Sequence, residues 1–323
     1  MERNVVVVGG TNMDICGKSD KPVVAHDSNP GSVWFSTGGV GHNIALNMAR
    51  MGLSVSFLTA VGDDSQGRDI LCEARENGIK MVLPPFQGHG TGVYVYLCGN
   101  DGNMELAVND MAVTSLITPK TLEPYEALLR EADLVVGEAN LQEETLRYMG
   151  GIARHFVVDP VSSIKMPRLS TVWKNIEVFK PNLFELEELA GIHVKDETSL
   201  RAAWRIVRAL GVDTVVVSMG KDGAWYDDES LKFHMPVAES SRIVDTTGCG
   251  DAFVAGFCFG RLDEGTQPLC GAFGSPKRYA LACALSASAI TAESKETVSS
   301  RMSREEMISR VTGMLAHGKE KHE

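Results

Sequence analysis

Strand and helix signals alternate along the second half of the chain, and this alternation is the strongest constraint on its fold. Short apolar runs typical of buried strands are separated by segments with apolar residues at helical spacing. The predicted strands are Ala132–Gly137, His155–Val161, Ile176–Phe179 and Val212–Ser218, and the predicted helices are Gln142–Ile152, Leu183–Ala190 and Thr198–Leu210. This order predicts an α/β fold, with a mostly parallel central sheet flanked by helices on both faces. A hairpin at residues 224–235 and a surface loop at Asp263–Pro276 are also predicted.

The composition is typical of a soluble globular protein. The chain has 323 residues, of which 44% are hydrophobic, which suits one large α/β domain or two small ones with a buried core. No apolar run reaches the length of a membrane span, and no signal peptide pattern precedes the strand predicted at Val5–Val8. The net charge of −11 argues against a nucleic acid partner. Seven scattered cysteines without a C-x-x-C pair predict reduced thiols and a cytoplasmic location.

The stretch Asp245–Asp251 has the composition of an anion-binding loop. It reads Asp-Thr-Thr-Gly-Cys-Gly-Asp and leads into a helix predicted at Ala252–Arg261. The N–H groups at a helix start attract anions, and glycine lets the backbone approach an anion closely. A carboxylate there repels an anion, but it suits a base that takes a proton from an attacking hydroxyl. The alternative is an ordinary helix cap, and the stretch alone does not decide between the two.

A second glycine loop, Thr37–Asn43, opens another predicted helix. Apolar residues recur at helical spacing from Ile44 to Met51. Asn43, at the helix entrance, is either a ligand-facing residue or a helix cap. His42 is predicted to be a polar residue at the rim of the site. The chain therefore has two glycine loops that each lead into a helix.

Polar residues follow several predicted strands. They are Asn12 and Asp14, then Asp159, then Lys180, Asn182 and Glu185, and finally Ser218, Gly220 and Gly223. Ligands of α/β sheets bind beyond the carboxyl ends of the strands, so this pattern predicts a nucleotide cleft. Asn182 and Glu185 either hold Mg²⁺ through water or form a helix capping box. The G-x-G-x-x-G fingerprint of dehydrogenases is absent, which disfavours a nicotinamide cofactor.

Two separate pieces of sequence predict a second, smaller sheet. Residues 15–36 contain short apolar pairs around a turn, and residues 91–111 contain two strand-like runs joined by Gly99–Asn103. We expect these pieces to form a four-stranded lid over one face of the site. The lid would be inserted, in two places, into an α/β domain of residues 1–14, 37–90 and 112–323. Its exposed surface is a candidate contact for a second subunit.

Four motifs, in this order along the chain, resemble those of the ribokinase-like (PfkB) sugar kinases. They are Gly38-Gly39-Val40-Gly41-His42-Asn43, Lys180-Pro181-Asn182 with Glu185, Ser218-Met219-Gly220 with Gly223, and Asp245–Asp251. The resemblance covers nearly the whole chain. It implies a ribokinase-like fold and an ATP-dependent transfer of a phosphoryl group to a sugar or nucleoside hydroxyl.

The resemblance also implies a role for each motif residue. Asp251 is implied as the catalytic base, and the anion hole as Gly248, Cys249 and Gly250. The implied substrate contacts are Asp14, Gly39 and Asn43 on the ribose hydroxyls, and Asn12, Asn109 and Lys165 elsewhere. The implied ATP contacts are Asn182, Ser218, Gly220, Gly223 and Thr246. Mg²⁺ would be held through water by Asn182 and Glu185, and a monovalent cation such as K⁺ by Asp245 and Thr247.

Three further stretches resemble the pseudouridine kinase branch of this family. They are Asp27–Gly31, Leu106–Met111, and Val158–Ser162 together with Lys165. The stretches lie in the predicted lid and on the substrate side, where selectivity is expected. The implied reaction is phosphorylation of the 5′-hydroxyl of pseudouridine by a homodimer that associates through the lid. Ribose, inosine, uridine and adenosine are the alternative substrates.

Cys249 departs from the family pattern, in which alanine is commoner at this position. A small side chain fits there, and a helix N-terminus lowers the pKa of a thiol, so an oxidation-sensitive cysteine is expected. Two other classes of protein are alternatives. A non-catalytic binding protein is disfavoured by the intact Gly248–Asp251 segment, and a Rossmann oxidoreductase by the missing dinucleotide fingerprint.

Overall fold

The valine run at Val5–Val8 lies inside a large sheet in the computed structural model, which describes residues 3–238, 242–263 and 267–320. All four side chains are at most 1% exposed. The run is part of strand β1 (Asn4–Val8), which pairs in parallel with a strand on each side. A parallel strand covered on both faces needs apolar residues at successive positions, and the β-branched valines supply them.

The described residues form nine strands of one sheet. From one edge to the other they are β5 (Lys80–Met81), β4 (Ser54–Leu58), β1, β8 (Leu134–Glu138), β9 (Phe156–Asp159), β10 (Val178–Phe179), β11 (Thr214–Ser218), β12 (Ala224–Asp227) and β13 (Lys232–Met235). Neighbours from β5 to β11 are parallel, and β12 and β13 add an antiparallel hairpin. The predicted α/β architecture and the predicted hairpin are confirmed.

Helices cover both faces of this sheet. They are α1 (Val40–Arg50), α2 (Ser65–Glu76), α3 (Pro119–Leu122), α4 (Glu126–Glu131), α5 (Glu143–Ile152), α6 (Leu183–Ala190), α7 (Glu197–Ala209), α8 (Cys249–Leu262), α9 (Gln267–Ala272), α10 (Pro276–Ala292) and α11 (Arg304–Glu320). Val5 and Val7 pack with α1, α8 and α10, whereas Val6 and Val8 pack with α5 and α7 on the opposite face. Within the described part of the chain, no helix is both long enough and apolar enough to cross a membrane.

The predicted small sheet is present as a separate four-stranded sheet. Its order is β3 (Gly31–Gly38), β2 (Asn12–Ser19), β6 (Val93–Cys98) and β7 (Met104–Asp110). The first two strands extend beyond the predicted limits of 15 and 36, because β2 follows β1 closely and β3 runs almost directly into α1. The small sheet is therefore attached to the large one next to the Gly38–Gly39 loop.

Two local predictions are corrected by the fold. Helix α1 begins at Val40 after Gly39, whose φ is 102°, and the N–H of Asn43 donates to the carbonyl oxygen of Gly39 (2.8 Å). Asn43 therefore lies in the first turn and is not the cap. The segment Asp263–Pro276 is not wholly a loop, because Gln267–Ala272 forms α9 and its apolar side chains pack against the core. Residues 264–266 of that prediction lie outside the described residues.

Candidate active site

The glycine stretch 245–251 forms the start of α8. Gly248 precedes the helix with φ 77°, and the N–H of Ala252 donates to its carbonyl oxygen (2.9 Å) as the first helical bond. The N–H of Gly250 thus lies in the turn where helix geometry provides no carbonyl partner. A Cβ atom on Gly248 would lie 2.2 Å from the carbonyl oxygen of Thr297. Both the backbone conformation and the packing require glycine at position 248.

Asp251 lies in the same first turn and is held by the second glycine loop. Asn43 Nδ2 donates to Asp251 Oδ2 (2.8 Å), so the starts of α1 and α8 meet at this carboxylate. Burial raises the pKa of Asp251 to about 7, against the opposing effects of the Asn43 hydrogen bond and the Lys180 charge. A carboxylate that titrates near neutrality is well suited to exchange a proton with a substrate hydroxyl.

A buried ammonium group lies beside this turn. Lys180 Nζ donates to Asp159 Oδ2 (3.2 Å), and both side chains are 7% exposed. Nζ also lies 3.4 Å from the point where a Cβ atom on Gly250 would be. Burial alone would lower the pKa of Lys180, but the nearby carboxylates of Asp159, Glu185 and Asp251 raise it. Lys180 thus places a fixed positive charge next to the start of α8. Most lysine side chains, in contrast, are exposed to solvent.

The residues predicted to contact a sugar lie around the other glycine loop. Asn12 Nδ2 donates to Asp14 Oδ1 (2.5 Å), and burial raises the pKa of Asp14. A Cβ atom on Gly38 would lie 2.3 Å from Asp14 Oδ2, and one on Gly39 would lie 2.7 Å from a backbone oxygen. The absence of side chains at these glycines therefore lets the Asp14 strand and the loop lie in contact.

Asn109 is placed on the same face of the small sheet as Asp14. Asp14 is the register partner of Tyr94 on β6, and Tyr94 is the partner of Asn109 on β7. Side chains at paired positions of adjacent strands point to one face, so these three form a row. Lys165 lies apart from the row and donates a hydrogen bond to Asn140 Oδ1. Burial lowers the pKa of Lys165, opposed by the charge of Glu138.

A cavity of about 410 Å³ brings together four of the residues predicted to contact ATP, whereas Asn182 is not part of its lining. Ser218, Gly220, Gly223 and Thr246 line it together with Cys249 and Gly250 of α8. The rest of its wall is mainly apolar, formed by Val237, Ala238, Ile243, Phe253, Leu285, Ala289 and Ala292. An apolar pocket with polar groups at one end is typical of a site for an aromatic ring that carries a charged substituent.

The predicted metal ligands make local hydrogen bonds. Asn182 Oδ1 accepts from the N–H of Glu185, and Glu185 Oε2 accepts from the N–H of Asn182, each at 2.8 Å. This is the capping box that was the alternative reading of the pair. Asp245 Oδ1 accepts from both the N–H and the hydroxyl of Thr247. Among the described residues, no group of three or more His, Cys, Asp or Glu side chains forms a metal cluster.

The model of the pfkB family carbohydrate kinases matches residues 2–304 of the sequence, which is most of the chain. The chain belongs to the PfkB family of carbohydrate kinases. A pseudouridine kinase of Escherichia coli K12 is 34% identical over 259 residues, which cover 78% of this chain and 82% of that protein. An uncharacterized sugar kinase of the same organism, YeiI, is 32% identical over 282 residues, covering 86% and 76% respectively.

The solved structures agree with this family on the fold. The ribokinase of Arabidopsis thaliana in complex with ribose and ATP superposes with a TM-score of 0.81 at 19% identity, over 96% of this chain and 99% of that one. At that identity the likeness shows the fold alone. The ribokinase-like prediction is therefore confirmed, and the chain is a sugar or nucleoside kinase of the PfkB family.

Two expectations about this PfkB site are wrong. His42 is 3% exposed and is not at the rim, because α1 begins early enough to turn its ring toward Glu73 on α2 (Nε2 to Oε2, 3.0 Å). Burial raises the pKa of the Cys249 thiol to about 11, and the charges of Asp245 and Asp251 add to this effect. The expected lowering of that pKa by the helix N-terminus does not occur, so the oxidation-sensitive thiolate is not supported.

One buried carboxylate near the candidate site is not among the residues predicted from the sequence. Glu138, at the end of β8, is 1% exposed and accepts from the N–H of Gly10 (2.7 Å) and of Asn140 (2.6 Å). Burial raises its pKa to about 7. Glu138 thus links the loop after β1 to Asn140, whose side chain contacts Lys165. Its position directly after the apolar Leu134–Gly137 run was the available signal, since the other polar strand ends were noted for that reason.

Proposed function

We propose that this PfkB kinase transfers the γ-phosphoryl group of ATP to the 5′-hydroxyl of pseudouridine, giving pseudouridine 5′-phosphate and ADP. The observation that carries the proposal is the position of Asp251. Its carboxylate is held by Asn43 on the sugar side, and the adjoining Gly250 lines the nucleotide cavity on the other side. A base at the junction of the two sites fits a direct transfer between them.

In this mechanism Asp251 accepts the proton of the 5′-hydroxyl while that oxygen attacks the γ-phosphorus. The bond from the γ-phosphorus to the bridging oxygen breaks, and ADP leaves with that oxygen. Negative charge on the phosphoryl group in transit faces the N–H of Gly250 and the ammonium of Lys180. Asp14, Gly39 and Asn43 position the ribose, and closure of the small sheet over it excludes water from the transfer.

The nucleotide end of the proposal rests on the cavity beside α8. Its apolar wall, which includes Ile243, Phe253 and Leu285, provides a surface for adenine. Ser218, Gly220, Gly223 and Thr246 would contact the ribose and the phosphates. The backbones of Asn182 and Ser218 pair in an isolated parallel β-bridge, which places Asn182 near the same cavity. The phosphate chain would then run toward Gly250, where the first turn of α8 receives the γ-phosphate.

The residues present fit the two cations of the proposal. The capping box occupies one carboxylate oxygen of Glu185, so Glu185 and Asn182 would hold Mg²⁺ through its own waters. Asp245 uses Oδ1 to bind Thr247, so its second oxygen would serve a monovalent cation together with Thr247. Mg²⁺ supplies positive charge to the phosphates of ATP, and K⁺ supplies it to the loop before Gly248.

A panel of phosphoryl acceptors tests the substrate. We expect kcat/KM for pseudouridine to exceed that for uridine, inosine, adenosine and ribose by about tenfold or more, because a site that hydrogen-bonds one base edge rejects acceptors that leave its polar groups unpaired. The measurement is an ADP-coupled assay with ATP, repeated without Mg²⁺ and without K⁺. The support for this acceptor is the identity of 34% to a pseudouridine kinase and the three stretches noted in the sequence.

Two substitutions in the predicted lid test, in the same assay, whether the small sheet contacts the nucleoside. Asn109→Ala should raise KM for the nucleoside and leave KM for ATP unchanged, because Asn109 shares a row with Asp14. Asn103→Ala, in the turn between β6 and β7, is the matched control and should change neither constant. A preference for ribose over every nucleoside would refute the proposed substrate and would leave the family assignment intact.

The outer face of the small sheet supports the proposal of a homodimer. Strand register places Val33, Phe35, Val95, Leu97, Leu106 and Val108 on the face opposite Asp14, and each is 38–66% exposed. An apolar face of this kind is typical of a protein interface, and a second copy of the same sheet would cover it. We propose that two chains associate through these faces.

Phe35→Asp tests the dimer. We expect the parent chain to sediment as a dimer and this variant as a monomer, because the new carboxylate would be buried without a partner. Ser32→Asp introduces the same charge on the other face of β3 and should leave the dimer intact. If the parent chain sediments as a monomer at micromolar concentration, the proposed interface is wrong.

A further inference from the structure

A chain of hydrogen bonds leads from Asp251 to a cavity on the other side of α1. Asn43 Nδ2 donates to Asp251 Oδ2 (2.8 Å), and Asn43 Oδ1 lies 3.3 Å from His42 Nδ1. His42 Nε2 lies 3.0 Å from Glu73 Oε2 on α2. Glu73 is 29% exposed and lines a cavity of about 320 Å³ under the small sheet. The nucleotide site does not include this cavity, and the mechanism above uses neither His42 nor Glu73.

The oxygen atoms along this series of hydrogen bonds constrain which groups can donate. Glu73 is ionised, because the hydrogen bond and charge of His42 lower its pKa although burial alone would raise it. Both ring nitrogens of His42 thus lie next to oxygen atoms that can accept a hydrogen bond, and both bonds form only when each nitrogen carries a proton. A ring that carries a proton at Nδ1 can donate only to the oxygen of the Asn43 carboxamide. The nitrogen end is then turned to Asp251, and the hydrogen bond that it donates to Oδ2 favours the ionised carboxylate.

We propose that Glu73 and His42 are positioning residues that fix the orientation of the Asn43 carboxamide and thereby keep Asp251 ionised and aimed at the acceptor hydroxyl. The proposal rests on the proposed function, in which Asp251 is the base. Without the imidazolium, the carboxamide is free to rotate by half a turn. Its oxygen would then face Asp251, which favours the protonated acid and removes the base from the reaction.

Several other charged groups surround this series of hydrogen bonds, and they stay in place when His42 is replaced. They are Asp14 on β2, Arg50 on α1, Lys295 and Glu296 across the cavity, and Asp159, Lys180 and Glu138 around Asp251. A change in the pH dependence on replacing His42 alone thus reports the loss of its hydrogen bonds and charge. It does not report a rearrangement of the remaining charges, provided that the fold is intact.

The test is the pH profile of kcat/KM for His42→Ala. The rate rises with pH as Asp251 ionises, and we expect this acid limb to move up by about one pH unit, the usual value of a hydrogen bond to a charged group. Activity is then about tenfold lower below the limb and returns to the parent value above it. A general loss of structure would lower the rate at every pH, so recovery at high pH separates the two causes.

Leu46→Ala is the matched control. Leu46 lies one turn further along α1, lines the same cavity and makes no contact through a polar side chain. It should lower stability without moving the acid limb. An equal shift in both variants would overturn the proposal. His42→Arg keeps a cation with several donors in front of Asn43, and it should restore the limb, since the cavity leaves room for the longer side chain.

A second measurement is independent of turnover. In ¹⁵N-histidine NMR at pH 7, both ring nitrogens of His42 should carry protons, and Glu73→Ala should abolish this state. A neutral ring in the parent chain would refute the proposal. The proposed base and the proposed positioning residues can be tested separately. If Asp251→Asn remains active, the proposed base is wrong. If Asp251→Asn is inactive but the pH profile of His42→Ala is unshifted, only the positioning role of His42 and Glu73 is refuted.

Discussion

Asp251→Asn is expected to lower kcat by about 10³-fold, because a positioned general base contributes a factor of about 10² to 10⁴. The amide has nearly the same shape and can still bond to Asn43, so the fold and the affinity for both substrates should change little. The measurement is steady-state turnover with pseudouridine and ATP, alongside calorimetric binding of each. Asp263→Asn, which alters an acid at the other end of α8, provides a comparison for stability alone.

Asp251 also determines how kcat/KM of the parent enzyme should change with pH. Burial raises the pKa of Asp251 to about 7, so the proposed base is protonated below that pH and ionised above it. We therefore expect kcat/KM to rise with pH through neutrality and then level off. The variant should lack this limb. Near-normal turnover in Asp251→Asn, or an unchanged limb, would show that another group accepts the proton.

Gly248→Ala is expected to lower kcat by about 10²-fold or more. The new Cβ would lie 2.2 Å from the carbonyl oxygen of Thr297, and φ at this position is 77°, so the start of α8 must move. The N–H of Gly250 would be displaced from the phosphoryl group, and removal of one such donor typically costs a factor of about 10² to 10³. Turnover and the unfolding midpoint should be measured together.

Gly191→Ala separates the two causes. Gly191 ends α6 with a similar φ of 64°, but a Cβ atom there meets no other atom within 4 Å. This control carries the conformational cost of alanine without the collision and should affect stability slightly and turnover not at all. Equal losses of turnover in the two variants would mean that the contact with Thr297 does not position the anion site.

Strong periodic signals account for the part of the fold that could be predicted from sequence. Buried parallel strands read as continuous apolar runs, and α7 buries one clear stripe of apolar residues. Residues 53–90 carry no clear periodic signal in the sequence, and α2 shows why. Only Gly67, Ile70 and Ala74 of this helix are buried, so few apolar positions mark its period. Helix α9 was missed because glycine and proline near it are typical of loops.

The candidate site was predictable where the backbone itself forms it. Glycines 39 and 248 were identified because few other residues can adopt their conformation. The electrostatics were not predictable, since they depend on distant segments. Cys249 lies at a helix start, yet burial and two nearby carboxylates raise the pKa of its thiol. Lys180 resembles any surface lysine in sequence, and only the fold encloses it between Asp159 and α8.

The divided insertion of the small sheet has a consequence for the order of folding. Its central pairing joins β2 to β6 in parallel, with Met13 opposite Val93, and α1, β4, α2 and β5 lie between them in the chain. Closing so long a loop is unfavourable until the intervening segment has docked on the large sheet. The hairpin of β2 and β3 emerges first during synthesis and must wait, with the edge of β2 that pairs with β6 still open, for its partner strand. Chaperone dependence and aggregation during expression should therefore arise from this hairpin.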